Sequence, residues 1–137
     1  MVEILLVVAI MVALGGLSVV ASQAFSNRDS LDTASNILVQ TIRRAQILSQ
    51  SVDGDSTWGV YVDSQNVVLF QGATYATRDA AFDELFELDG NLFASGMSEI
   101  VFDRFTGEPQ TTGTMTLGTT LGENKNIVIN SKGMIEY

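Results

Sequence analysis

Three patterns of apolar and polar residues follow one another along the chain. From Ile4 through Ala21 the sequence ILLVVAIMVALGGLSVVA runs 18 residues without a charge. After Ser22 the apolar residues thin to Leu31, Ala34, Leu38, Ile42, Ala45, Leu48 and Val52. Their spacing of three and four predicts one apolar helical face, widened by Ile37, Val39 and Ile47. Asp53-Gly54-Asp55 supplies the turn chemistry that ends it. The pattern predicts a single helix of about 50 residues, against a mean of ~11–12 in globular proteins. Its first half is apolar all round and its second half is amphipathic. The halves therefore need different burial partners: lipid or other chains for the first, the chain's own head for the second.

Beyond residue 55 the period changes to that of strands. Trp58–Val62 and Val67–Phe70 flank Asp63-Ser64-Gln65-Asn66 and predict a β-hairpin. Ile100-Val101-Phe102 leads through Asp103-Arg104-Phe105 and Thr106-Gly107 to the sole proline, Pro109. Thr114–Leu117 then returns as the second arm of another predicted hairpin. Ile127–Asn130 and Met134–Tyr137 flank Ser131-Lys132-Gly133, a third hairpin with Gly in the turn. Residues 71–99 read as a mixed loop: Phe82, Leu85 and Phe86 have helical spacing, whereas Glu87–Phe93 fits strand and turn equally well. The expected fold class is α+β, a long N-terminal helix packed on a C-terminal antiparallel β-sheet head. Residues 1–25 form the apolar part. Residues 26–137 form the head, with its helical half at 26–52 and its β-rich part at 56–137.

The apolar run has three readings. As a buried core helix it would leave no polar face for solvent. As a secretory signal peptide, Val19-Val20-Ala21 would be the cleavage site, but no Lys or Arg precedes the run. As a retained helix it would sit first in a membrane and then among copies of itself; at ~1.5 Å per residue its length approaches the ~30 Å hydrocarbon core. Glu3 bears on the choice. A carboxylate costs ~2.5–3.5 kcal/mol at the bilayer centre, so it requires a partner.

Met1-Val2-Glu3-Ile4-Leu5-Leu6-Val7-Val8-Ala9-Ile10 resembles the mature N-terminus of type IV pilins and type II secretion pseudopilins. The resemblance places the family's hallmark glutamate on Glu3 and assigns Ile4, Leu5, Leu6, Val7, Val8 and Ile10 to packing in a filament core. Met1 falls on the family's third mature position, so two residues and a basic leader are expected ahead of it. The proline common in major pilins near the end of the apolar run is lacking; Gly15-Gly16 stands in that neighbourhood. Each Gly costs a helix ~0.8–1.0 kcal/mol relative to Ala, so the pair is either a point of unwinding or a site of close small-residue packing between helices. Arg43-Arg44-Ala45-Gln46, Trp58-Gly59-Val60, Val67–Phe70, Ile100–Gly107 and Ile127–Ile135 resemble, in that order, the head of an H-type pseudopilin or FimT-like pilin. The resemblance implies a pilin fold.

Charge and composition narrow the chemistry. The chain of 137 residues carries 7 Lys+Arg against 16 Asp+Glu, a net charge of −9, with no Cys and no His. Residues 1–52 balance three acids with three bases, so the whole excess lies in residues 53–137. Such a head repels phosphate backbones, and no nucleic-acid partner is expected. Disulfides, thiolate or imidazole metal sites and His-based acid–base relays are excluded. No Gly-x-Ser-x-Gly or phosphate-binding loop occurs, and Lys125 and Lys132 stand in turn-like settings, so an enzyme is not expected. Asp53 and Asp55 are the candidates for a Ca²⁺ site, and Asp83, Glu84, Glu87 and Asp89 form a second acidic group. Neither matches an EF-hand, and both fall short of 6–8 oxygen ligands, so the expectation is no cofactor and a solvated acidic surface. Of Trp58, Tyr61, Phe70, Phe102 and Phe105, most are expected to be core residues packing on the Leu31–Val52 stripe. Arg43 or Arg44 is expected to pair with an acidic neighbouring subunit.

The function implied is structural: a subunit that polymerises with itself through its N-terminal helices into an extracellular type IV pilus or related filament. The resemblance further implies a prepilin peptidase that removes the leader and methylates the new N-terminus. It also implies an inner-membrane assembly platform with an ATPase, and residence in the inner membrane before assembly. The alternatives are a minor pseudopilin at the tip of a type II secretion pseudopilus and a DNA-uptake minor pilin.

Overall fold

A computed structural model describes the backbone of residues 2–137 and the side chains of residues 2–13 and 28–137. The fold is α+β. Helix α1 spans Val2–Gln50 and is followed by eight strands: β1 Trp58–Val62, β2 Asn66–Gln71, β3 Asp79–Glu87, β4 Leu92–Gly96, β5 Glu99–Phe102, β6 Gly113–Thr119, β7 Asn124–Ile129 and β8 Ile135–Glu136. They form two four-stranded antiparallel sheets of order β3-β2-β1-β5 and β4-β6-β7-β8. The unwinding or packing expected at Gly15-Gly16 lies outside the described residues.

The stripe on α1 faces both sheets. Leu31, Ala34, Leu38, Val39, Ile42 and Ala45 are buried against Val60, Val62, Val67, Leu69, Ile100 and Phe102 of one sheet and Met115, Leu117, Ile127 and Ile129 of the other. Leu48 is half-buried at the rim, whereas Ile47 points away and is exposed. The helix stops where Val52 and Gly54 enter the left-handed region at φ 57° and 65°. The Trp58 indole N–H then donates to the Asp53 carbonyl at 3.0 Å, holding the turn against the start of β1.

Two of the three predicted hairpins form. In β1–β2, the Asp63 carboxylate accepts from the amides of Gln65 and Asn66 at 2.7 and 2.8 Å, the local bonding that makes Asp a turn residue. In β7–β8, the Asn130 side chain accepts from the amides of Lys132 and Met134, and Gly133 adopts φ 73°. The hairpin expected from Ile100–Phe102 and Thr114–Leu117 does not. Strand β5 pairs with β1, Trp58 opposite Phe102, while β6 pairs with β4 and β7. Only a single bridge, Phe102 to Pro109, survives of the local pairing.

Residues 71–99 are more regular than a mixed loop. They hold a short 3-10 turn at Tyr75–Thr77 and strands β3 and β4. Phe82 and Phe86 do not share a helical face with Leu85. In β3, Phe86 lies opposite Val67 on the side of the sheet that faces α1, and Leu85 lies opposite Val68 on the other. The aromatic expectation also divides. Trp58 and Phe102 are buried on the helix side. Phe70 is buried on the far side, where Tyr75 packs edge-on against it and stacks on Tyr61 at 3.9 Å. Phe105 is 71% exposed at φ 70°, so it is no core residue.

Candidate assembly interface

The described part of the apolar run is uncovered. Val2, Ile4, Leu5, Leu6, Val7, Val8, Ile10, Met11 and Val12 are 50–78% exposed. At about 100° per residue the consecutive set Ile4, Leu5, Leu6 and Val7 points to every side of the helix, so no single groove can cover it. Each such side chain gains ~1.5–3 kcal/mol when removed from water. Contiguous uncovered apolar surfaces of this size are uncommon on monomeric soluble proteins. Among the described residues no helix is long and apolar enough to cross a membrane; positions 14–21 of the run stand outside that statement.

Glu3 is the one charge in this stretch and is exposed in the first turn of α1. The carboxylate sits at the end of the helix where unsatisfied amides favour negative charge. Ile4, Leu5, Leu6, Val7, Val8 and Ile10 surround the helix axis immediately after it. Any surface that buries them must therefore also accommodate a carboxylate.

The second half of the helix is fixed to the head by polar contacts along its length. Arg28 pairs with Glu123 at 2.6 Å, Asp32 with Lys125 at 2.7 Å, and Ser30 donates to Asp89 at 2.8 Å. Further along, Arg44 pairs with Glu84 on β3. Gln46 and Gln50 donate to the carbonyls of Gly107 and Thr106. Gly107 and Gly133 hold positive φ, and a Cβ at either would run into the Gln50 or Gln46 side chain respectively. One helix is thus anchored at residues 28–50 and uncovered at residues 2–12.

The acidic candidates do not converge. Asp55 pairs with Arg104 at 2.7 Å, and Asp53 is exposed beside it with its carbonyl taken by Trp58. Asp83 and Glu84 are neighbours on a strand and so point to opposite faces: Asp83 pairs with Arg78, Glu84 with Arg44. Asp83 holds the Arg78 guanidinium above its ordinary value through its hydrogen bond. Among the described residues no group of three or more acids could hold a metal ion. Of Arg43 and Arg44, one of which is expected to pair with a neighbouring subunit, Arg44 is paired within the chain. Arg43 is exposed on an open groove of about 480 Å³ that it lines with Gln46, Ile47, Gly133, Met134 and Ile135. The groove joins residues about ninety positions apart, and periodicity within either segment does not reveal it.

No protein-family model, curated protein or solved structure matches the chain.

Proposed function

We propose that the chain is a pilin-like structural subunit that polymerises through its N-terminal helix into an extracellular filament, a type IV pilus or a relative. The observation that carries this reading is the division of α1. Leu31–Ala45 is buried in the head, while Val2–Val12 exposes apolar side chains all round with Glu3 at their start. Such a segment is at rest only in a lipid bilayer or surrounded by similar helices. Those are the two environments of a pilin before and after assembly.

In this reading residues 1–25 hold the subunit in the inner membrane and then form the filament core, in the pilin architecture that the sequence resembles. The acidic head forms the outer wall. A prepilin peptidase and an inner-membrane platform act on it as they do on the family. The chain itself carries no reaction, in keeping with a sequence that has neither His nor Cys. A minor pseudopilin at the tip of a secretion pseudopilus is the second reading, favoured by the order of head segments from Arg43 to Ile135. A DNA-uptake receptor is disfavoured by the −9 charge.

Shearing filaments from cells that make the chain, imaging them and identifying their protein tests the proposal. Filaments built mainly of this chain support the first reading, and trace amounts at filament ends support the second. A chain found only as free monomer, with no filaments, overturns both.

A further inference from the structure

Six of the seven basic residues form ion pairs among the described residues: Arg28, Arg44, Arg78, Arg104, Lys125 and Lys132. Arg43 is the seventh. In a chain with more than twice as many acids as bases, a cation without an acid partner is a distinctive feature, and this one stands at an apolar groove. Ile47 and Met134, which line the groove with it, are each 62% exposed. The groove lies on the flank of α1 that borders β8, the edge strand of one sheet.

The β3 edge has the opposite character. There Arg44 bonds Glu84 of β3, the edge strand of the other sheet. Leu85 and Glu87 are two apart on β3 and so project from the same face, the one turned away from α1. Leu85 is 58% exposed, and Glu87 is exposed with no ion pair among the described residues. The groove beside α1 therefore offers an apolar surface with a cation, and the outer face of edge strand β3, turned away from α1, an apolar side chain with an anion.

We propose that the groove between α1 and β8 receives the β3 edge of a second copy of the chain, Arg43 pairing with Glu87 while Ile47 and Met134 cover Leu85. The inference deepens the filament reading and rests on it. Because the two surfaces differ and involve edge strands of different sheets, the contact is heterologous, and each copy keeps a free surface for the next. The geometry suits open-ended growth. Repetition of the contact fixes the heads laterally, while the N-terminal helices fill the centre.

The chain has no cysteine, so Ile47→Cys and Leu85→Cys introduce the only thiols. Both positions are on the surface, and neither substitution disturbs the core. The full-length double variant, in membranes and in sheared filaments, is treated with a short bis-maleimide and run on a denaturing gel. The expected result is a ladder extending past the dimer. Ile47→Cys with Ser95→Cys is the control for random collision and gives no ladder. Adding Arg43→Glu, which sets like charges against each other, lowers the ladder about tenfold, and adding Glu87→Arg as well restores it. A ladder absent, equal to the control, or indifferent to Arg43→Glu overturns the contact. Filaments without the ladder refute this contact and leave the filament reading standing. A ladder without filaments does the reverse, and absence of both refutes both.

Discussion

Arg44 grips Glu84 with both arms of its guanidinium: Nη1 donates to Oε2 at 2.7 Å and Nη2 to Oε1 at 2.6 Å. The pair ties the last turns of α1 to the edge strand β3 across 40 residues of sequence. Its side chains are 54% and 41% exposed, so solvent screens the attraction. A double-mutant cycle on Arg44→Ala and Glu84→Ala, read by urea denaturation, should give a coupling of ~0.2–1 kcal/mol, towards the upper end because the geometry is bidentate. A coupling well above this range would mean that the edge strand depends on the helix more than its packing indicates.

The buried apolar core of the described residues begins at Leu31. A fragment of residues 26–137 should therefore fold and remain monomeric in solution without the apolar run. Far-UV circular dichroism and sedimentation would check this. Because there is no cysteine, its unfolding midpoint should be unchanged by reductant. An unfolded fragment would mean that the first helical half stabilises the head.

Ser49 is fully buried, and its hydroxyl accepts from the Trp58 amide at 2.9 Å. Ser49→Ala leaves that amide without its partner inside the protein. The expected loss is ~1–3 kcal/mol, the cost of an unsatisfied buried donor. Ser51→Ala, at an exposed position two residues on, should change stability by no more than ~0.5 kcal/mol. Urea midpoints of the 26–137 fragment compare the two. Equal effects would remove the special role of the Ser49–Trp58 contact.

What the sequence made legible follows from the range over which its patterns act. Leu31, Ala34, Leu38, Ile42 and Ala45 repeat within one helix, and all five are buried. The hairpins at Asp63–Asn66 and Asn130–Gly133 carry their own turn chemistry, so local reading suffices. The partner of Ile100–Phe102 was not legible, because β5 reaches back to Trp58–Tyr61 rather than forward to the next apolar run. Phe82, Leu85 and Phe86 misled because spacings of three and four occur by chance in a strand whose two faces both hold apolar residues. Phe105 misled because an aromatic beside Phe102 looks like core, yet the turn at φ 70° directs it outward. The apolar surface at Ile4–Ile10, with Glu3 at its start, is readable from the uninterrupted apolar run itself. The Arg43 groove depends on β8 folding back on α1, and no local pattern encodes that.

In the proposed function, copies of the chain assemble through the segment that begins at Glu3. In a core of apolar helices a lone carboxylate is costly, so Glu3 should be held by a positive charge on an adjoining copy. In the resembled family that charge is the methylated N-terminal amine. Only one axial stagger brings the two together, which makes the pair a register device. Glu3 is far from the Leu31–Ala45 core, so replacing it leaves the head native. The most direct measurement is the number of filaments per cell for Glu3→Leu, Glu3→Gln and the unaltered chain at matched subunit levels. Glu3→Leu should enter the membrane at least as well yet give few or no filaments, with Glu3→Gln intermediate. Normal filament numbers from Glu3→Leu would contradict the account.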